Sequence, residues 1–385
     1  MMHSTPMSRI LLVTRNLPPL LGGMEKLNWH LADQLSREAE LRIVGPSGAK
    51  ALKPQHTEVN EVPLKPLWRF LLGALRSSCR IARQWKPDVI LAGSGLTAPI
   101  VLIASRLCKA RSAVYLHGLD ITVPNLAYRL LWLPLIRRVD IVFTNSHPTS
   151  RLAINAGIRS ERIKIVHPGV ELKPPGDWKA NARLFRQQHN LGERPLLLSV
   201  GRLTQRKGLL EFVTHCLPEI TRAHPDAVLL VIGDAANNAL HSKAQSIQDI
   251  QAAAKEAGID SSVRFLGVVP EDVLLTAMDA SNLHIFPVRS VPGDPEGFGM
   301  VAIEAASRGL PTAAFASGGV IDAVEDGASG RIVQQNDYQA LADAVTELLA
   351  SEGEYREAAI AFAQSFSWLR FGQQISASLQ ETMPR

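Results

Sequence analysis

Cysteine is scarce in this sequence. The chain has 385 residues and only Cys79, Cys108 and Cys216, widely scattered. That excludes a disulfide framework and a cysteine-based zinc site, and makes a reducing, cytosolic setting the default. No apolar run reaches the roughly 18 residues that a membrane-spanning helix needs. The opening MMHSTPMSRILLVT carries a short apolar run that reads as a first strand, without a signal-peptide pattern. There is no internal repeat, no low-complexity tract and no GxGxxG spacing, so a dinucleotide cofactor is not indicated.

What is present is a chain able to bury large cores. Apolar residues make up 46% and charged residues 20%, which excludes disorder by composition. The length suits roughly two or three domains. The net charge of +5 conceals an asymmetry. Residues 1–170 carry 23 Lys and Arg against 10 Asp and Glu, and residues 171–385 carry 18 against 26. A basic half suits phospholipid headgroups, nucleic acid or a phosphorylated substrate, or is simply an ordinary basic surface. No nucleic-acid-reading motif accompanies it, so nucleic acid is not an expected partner.

Strand-like runs alternate with helical patterns. The first half reads as strands at 9–14, 41–44, 89–92, 113–117 and 141–145. The second half does so at 196–200, 228–232, 263–266, 283–286, 312–315 and 331–333. This alternation predicts an α/β fold around parallel sheets. The polar, Pro- and Gly-bearing stretch after HPGV marks a boundary. The expected domains are 1–170, a linker region at 171–193, 194–365, and a C-terminal helix at 366–385 that returns to the first domain. Ligand sites are expected at strand C-terminal ends, in the cleft between domains.

Two stretches are basic and aromatic. In 65–86, Arg69, Arg76, Arg80 and Arg83 fall on one arc, beside Trp68, Leu71, Leu72, Leu75 and Cys79. That pattern suits an interfacial helix, and equally an outer helix packed on its sheet with wet arginines. Segment 128–138, YRLLWLPLIRR, has the same two readings.

Four places can carry chemistry. Gly22 and Gly23 precede a helical pattern after the first strand, as a phosphate-approaching loop or a plain turn. His117 ends a strand in YLHGLD with Asp120 just beyond, as a ligand-binding pair or a structural one. Arg202 and Lys207 follow the strand ending at Val200, in a loop that suits a diphosphate or is merely solvated; Arg206 beside them is not separable from them by sequence. Finally, Glu296 precedes a Gly-Phe-Gly turn, and Glu304 follows in an otherwise small, apolar helix. The backbone N–H groups of Phe298, Gly299 and Met300 form an anion or hydroxyl site. A charge inside such a helix needs a partner.

These motifs, in this order, resemble the family 4 retaining glycosyltransferases of the GT-B fold. The resemblance runs through the Gly pair at 22–23, HGLD at 117–120, TNS at 144–146, HPGV at 167–170, VGRLTQRKG at 200–208, VIGD at 231–234, FLG at 265–267 and EGFGMVAIEA at 296–305. HPGV departs from the commoner PNGV. The resemblance implies two Rossmann-like, doubly wound domains facing across a cleft. It implies that Arg202 and Lys207 hold the donor diphosphate, that Glu304 holds the ribose, and that Glu296 and the Phe298–Met300 backbone hold the transferred sugar. Gly22 and Gly23 would approach the phosphates. His117 would contact the donor sugar near the reacting carbon, with Asp120 in the same loop. Arg289 and Asp294, in the loop PVRSVPGDP, would touch sugar or acceptor, and the segment 235–258 would border the base.

The resemblance further implies a GDP- or UDP-linked hexose donor, mannose among the options, and retention of anomeric configuration by front-face attack. No Asp-x-Asp occurs in the chain, so no metal site and no cofactor are expected, and cations and helix N-termini stabilise the leaving group. With its basic first half and amphipathic helices the chain resembles bacterial members of the family that act on lipid-linked or lipopolysaccharide-type acceptors, which implies such an acceptor in cell-envelope polysaccharide assembly. The expected location is cytoplasmic, peripheral on an anionic inner membrane face. The alternatives are a soluble transferase with a small-molecule acceptor, and a non-catalytic module that binds sugar nucleotides.

Overall fold

The computed structural model describes residues 8–172, 178–234, 244–351 and 353–381. The chain forms two compact units, one of residues 1–169 with 368–385 and the other of residues 170–367.

The first unit is built on seven parallel strands: β1 (Arg9–Val13), β2 (Glu40–Pro46), β3 (Thr57–Val62), β4 (Val89–Ala92), β5 (Arg111–Leu116), β6 (Ile141–Thr144) and β7 (Ile163–Ile165). Their order is β3-β2-β1-β4-β5-β6-β7. The central strand β1 pairs Ile10 with Leu41 on one side and with Val89 on the other. Its run Ile10–Val13 is buried on both faces, which is why it reads as continuous rather than alternating hydrophobicity.

Right-handed crossovers then place the helices. Helix Gly23–Ser36 joins β1 to β2, stepping one way across the sheet. Helix Leu67–Trp85 before β4, Ala98–Cys108 before β5 and the helical turns of 128–136 before β6 step the other way. The latter group therefore shares one face. Phe70, Ala74, Ile81, Val101, Ala104 and Ile136 meet Leu11, Val13 and Val114 in one buried cluster there. Each large side chain so buried contributes about 1.5–3 kcal/mol. On the opposite face the final helix, Trp368–Gln380, packs against Gly23–Ser36. A Cβ on Gly372 would lie 2.6 Å from Gln34 Cβ, and the rings of His30 and Trp368 stack with centroids 3.9 Å apart.

The second unit holds six parallel strands: β8 (Leu196–Val200), β9 (Val228–Ile232), β10 (Val263–Gly267), β11 (Leu283–Phe286), β12 (Thr312–Phe315) and β13 (Gly330–Val333). Their order is β10-β9-β8-β11-β12-β13. Leu197 turns to one face beside Phe212, Val213 and Leu341. Leu196 and Leu198 turn to the other, beside Phe185, Ala277 and Met278.

All eleven expected strands are present. Two more, β3 and β7, were not expected from sequence. Thr57–Val62 is mostly polar, with Val59 and Val62 its only apolar residues and only its ends buried, and Ile163–Ile165 has three half-buried residues. Both are edge strands, whose existence depends on a neighbour offering its hydrogen bonds rather than on an apolar run. The stretch 171–193 contains helix Trp178–Gln188. It buries Ala182 and Phe185, and Arg186 Nε donates to the Ala280 carbonyl at 2.8 Å. Residues 173–177 of that stretch lie outside the described residues. No described helix is long and apolar enough to cross a membrane.

Candidate active site

In the second unit, strand order reverses between β8 and its neighbours β9 and β11. The connections that follow β8 and β11 lead to helices in different core clusters, and at such a reversal a crevice lies at the strand C-terminal ends. The β8 loop carries 201–208. It closes on a single helical turn, Gln205–Lys207, and then Gly208 at φ 67°. A Cβ at Gly208 would lie 2.1 Å from the Pro287 carbonyl oxygen, so glycine is required both for its conformation and for its clearance. This tight junction brings Arg206 and Lys207 against the β11 loop, where the Arg289 N–H donates to the Arg206 carbonyl at 2.8 Å.

There a charged cluster forms. Lys207 Nζ donates to Glu296 Oε2 at 2.8 Å. Arg206 donates through Nη1 to the same Glu296 oxygen and through Nε to Asp294 Oδ1 at 3.1 Å. Arg206 is 6% exposed and Asp294 6%. Two cations and two carboxylates balance one another in a poorly hydrated place. Burial opposes the charge on Glu296, but Arg206 and Lys207 outweigh it and pull its carboxyl down to about 2. Burial pushes the Lys207 ammonium down, with Glu296 pulling the other way. Beneath them Phe286 offers its ring to Lys207, 4.6 Å from the centroid. His284, in the same strand, is fully buried, and burial and the Lys207 charge push its imidazole down to about 3. It stays neutral.

The turn after Glu296 is held from both sides. Phe298 is buried, its ring tilted 50° against that of Phe366 with centroids 5.8 Å apart. Gly299 has φ 96°, and a Cβ on it would lie 2.8 Å from Phe286 Cε1. Helix Met300–Ser307 begins there with no side-chain cap on its first turn. The Gly319 N–H donates to the Glu296 carbonyl at 2.9 Å. A Cβ on Gly318 would meet that carbonyl oxygen at 2.5 Å. Glu304 lies one turn along Met300–Ser307 and is half-buried, so it is not sunk in the core as the apolar sequence around it suggested.

Arg202 is exposed, and among the described residues it forms no ion pair. Its charge nevertheless reaches Lys207 and Glu296. Two residues expected at sugar or acceptor have protein partners. Asp294 is the buried partner of Arg206. Arg289 pairs with Glu211 of helix Leu209–His215, and Gln245 Nε2 donates to the other Glu211 oxygen at 2.8 Å. In the segment expected near the base, residues 235–243 lie outside the described residues, and Ile247–Glu256 is a helix.

In the first unit, His117 follows β5 directly. Its Nε2 lies 2.9 Å from the Gly93 carbonyl oxygen. A carbonyl only accepts, so Nε2 carries the proton. The His117 N–H donates to Asp120 Oδ2 at 3.0 Å, which makes Asp120 a clamp on the turn. Gly93 closes the end of β4: a Cβ there would lie 2.3 Å from Asn28 Oδ1 and 2.6 Å from Thr14 Oγ1. Gly22 and Gly23 are exposed at the start of helix Gly23–Ser36. Glu25, which sequence reasoning passed over, sits in that first turn. Its Oε1 accepts from Asn16 Nδ2 at 2.7 Å. A phosphate at this helix terminus must share it with that carboxylate.

Sequence reasoning missed Gly318, Gly319 and Glu211, and left Arg206 unresolved. The Gly pair was a readable signal for a close backbone approach. Nothing local marked Glu211, whose partner is 78 residues away.

Comparison with known proteins gives the chemistry a family. Residues 181–366 match the family described as Glycosyl transferases group 1, and residues 21–173 match Glycosyltransferase Family 4. The chain belongs to glycosyltransferase family 4. Among the relatives of this glycosyltransferase is the GDP-mannose-dependent alpha-(1-6)-phosphatidylinositol monomannoside mannosyltransferase of Mycolicibacterium smegmatis. It is 28% identical over 352 residues, 89% of each chain. The D-inositol 3-phosphate glycosyltransferase of Corynebacterium aurimucosum is 30% identical over 291 residues, 74% of this chain and 66% of that one. HepE of Anabaena, solved with UDP-glucose, superposes with a TM-score of 0.78 at 22% identity, covering 97% and 99% of the two chains. WaaG, a glycosyltransferase involved in lipopolysaccharide biosynthesis, gives 0.67 at 16% identity over 96% and 99%. The fold is GT-B, and the protein is a nucleotide-sugar-dependent glycosyltransferase.

Proposed function

We propose that this glycosyltransferase moves mannose from GDP-mannose to a hydroxyl of a lipid-linked acceptor, with retention of anomeric configuration and without a metal, at the inner face of a membrane. The observation that carries the reading is the Lys207–Glu296 pair at the strand C-terminal ends of the second unit. It sets a cation for a diphosphate beside a carboxylate for sugar hydroxyls. The mycobacterial relatives, named for GDP-mannose and a phosphatidylinositol mannoside, support the donor and the class of acceptor.

Arg202 and Lys207 hold the diphosphate and stabilise the charge that develops as the sugar leaves. Glu296, ionised and held by Arg206, accepts hydrogen bonds from the transferred sugar. The Phe298–Met300 backbone borders the same sugar, and Glu304 takes the ribose hydroxyls. His117 contacts the sugar, with Gly22 and Gly23 near the phosphates. The acceptor oxygen bonds to the anomeric carbon as the bond from that carbon to the phosphate oxygen breaks. The acceptor proton passes to the leaving phosphate, on the same face.

The test is a thermal-shift panel of GDP- and UDP-sugars, followed by transfer to extracted lipid acceptors with and without EDTA. Stabilisation by GDP-mannose and EDTA-resistant transfer to lipid support the reading. Stabilisation by no nucleotide sugar refutes the donor site, and transfer lost with EDTA refutes metal independence. The Corynebacterium relative favours a second reading, a phosphorylated small polyol as acceptor. Transfer to inositol phosphate but not to lipid would select it.

A further inference from the structure

Strand β11 ends on Phe286, and Pro287 follows. The ring therefore stands at the C-terminal edge of the sheet, where the loops of the site begin. It is 2% exposed and packs with Val288, Phe298 and Val320 in one apolar cluster. Filling that cluster asks only for an apolar side chain of about this size. Two contacts go beyond filling. The face of the ring lies under the Lys207 ammonium, with Nζ 4.6 Å from the centroid. The Cε1–Cζ edge lies against Gly299, where a Cβ would come within 2.8 Å and 3.3 Å of those two atoms. One ring thus touches both the cation of the β8 loop and the turn that opens helix Met300–Ser307. His284, two residues earlier and so on the same face of the strand, backs the ring, with centroids 5.4 Å and planes 26° apart.

An ammonium carries three donors. One goes to Glu296 Oε2 at 2.8 Å. Among the described residues Nζ makes no second hydrogen bond. The Lys207 side chain is only 18% exposed, so water does little to stabilise its charge. The ring face does so instead, through its quadrupole, and adds no negative charge. A second carboxylate in that place would hold Lys207 as firmly but would repel a diphosphate. A layer of water would have to be displaced by one. An aromatic floor leaves the ammonium seated, charged and with donors to spare.

We infer that Phe286 is a positioning residue of the donor site. Its face seats Lys207 for the diphosphate, and its edge sets the height of the Gly299 turn beside the transferred sugar. One rigid ring thereby keeps the supports for the two ends of the donor in register. This role rests on the proposed reaction, in which Lys207 holds the diphosphate and the Phe298–Met300 backbone borders the sugar, and it names the group that fixes their spacing. A cation held in place before the donor arrives lowers the ordering cost of binding.

The experiment replaces Phe286 in the full chain with phenylalanines carrying one, two and three ring fluorines. Fluorine changes the size of the ring little but withdraws negative charge from its face, so a filling role is kept while the seat for the cation weakens. The same series at Phe212, fully buried in another cluster of the second unit, controls for fluorine in a packed core. Calorimetric affinity for GDP-mannose is expected to fall stepwise along the Phe286 series, by about three- to tenfold with three fluorines, and to stay level along the Phe212 series. Melting temperatures without donor should fall along the Phe286 series in the wild-type background and stay level in the Lys207→Met background. Phe286→Leu, which removes both contacts, should bind GDP-mannose more weakly than the trifluorinated protein. Level affinity along the Phe286 series overturns the inference. So does an equal loss along the Phe212 series, or a fall in melting temperature that persists with Lys207→Met. The donor reading fails separately: wild type that no nucleotide sugar stabilises refutes it, while the donor-free melts still report whether ring and cation are coupled.

Discussion

Lys207 Nζ and Glu296 Oε2 lie 2.8 Å apart although 89 residues separate them in the chain. Their strands, β8 and β11, are neighbours where the strand order reverses, so the two loops that leave the sheet there meet over the Phe286 ring. On the proposed reading the pair offers opposite charges to the two chemically different parts of one donor, its phosphates and its sugar.

Glu296 makes stability depend on acid in a defined window. Its carboxyl is held near 2 rather than the usual 4.5. A carboxyl held low stabilises the fold above its ordinary value, and that contribution is lost as pH falls from about 4.5 toward 2. Glu296→Gln is expected to melt below wild type at neutral pH, with the gap narrowing through that window. Thermal melts at stepped pH check this, and a constant gap counts against it. Transfer activity of the variant should fall at every pH.

Arg206 acts through others. It touches Asp294 and Glu296 and is itself buried. Arg206→Ala leaves two buried carboxylates with one cation fewer, a loss of about 3–5 kcal/mol. Arg206→Lys keeps the charge but not the two-way fork and should recover part of the stability. Arg206→Ala combined with Asp294→Ala should cost less than the sum of the single changes. Denaturant midpoints and a kcat-against-KM comparison separate this positioning role from a bare loss of fold.

Arg202 should behave in the opposite way. It is exposed and without an ion pair among the described residues, so Arg202→Ala should change stability by less than about 0.5 kcal/mol. Loss of a charge-assisted phosphate contact should weaken GDP-mannose binding by about 1.5–3 kcal/mol. Calorimetric titration reads the affinity and a melt reads the fold. Equal affinity in wild type and variant would remove Arg202 from the donor site.

Gly208 tests the junction that aims the cations. Its φ of 67° and the 2.1 Å approach of the Pro287 oxygen leave no room for a methyl group. Gly208→Ala should destabilise by more than about 1 kcal/mol and reduce donor binding as well. Gly258→Ala is the control, with φ 70° but nothing within 4 Å. It carries the backbone penalty alone and should leave donor binding intact.

Much of this protein was legible in its residues. Buried parallel strands are apolar on both faces, so their runs announce themselves at Ile10–Val13 or Val228–Ile232. The loops after them stand out through Gly, Arg, Lys and Glu, the residue types that the proposed binding of phosphate and hydroxyls at strand ends would use. Edge strands such as Thr57–Val62 carried no such mark, since their pairing is a property of the neighbouring strand. The partners of Arg206 and Arg289 were likewise hidden. Each charge could have been solvated, and only the meeting of loops 78 to 90 residues apart decides that it is neutralised within the protein. The helix Leu67–Trp85 shows the same division. Its sequence offered an amphipathic stripe with two readings, a packed helix or an interfacial one. Right-handed crossovers bury Phe70, Ala74 and Ile81 against the sheet and leave Trp68 and Leu72 exposed. Which apolar residues of the stripe are covered is decided only once the chain has folded over its sheet.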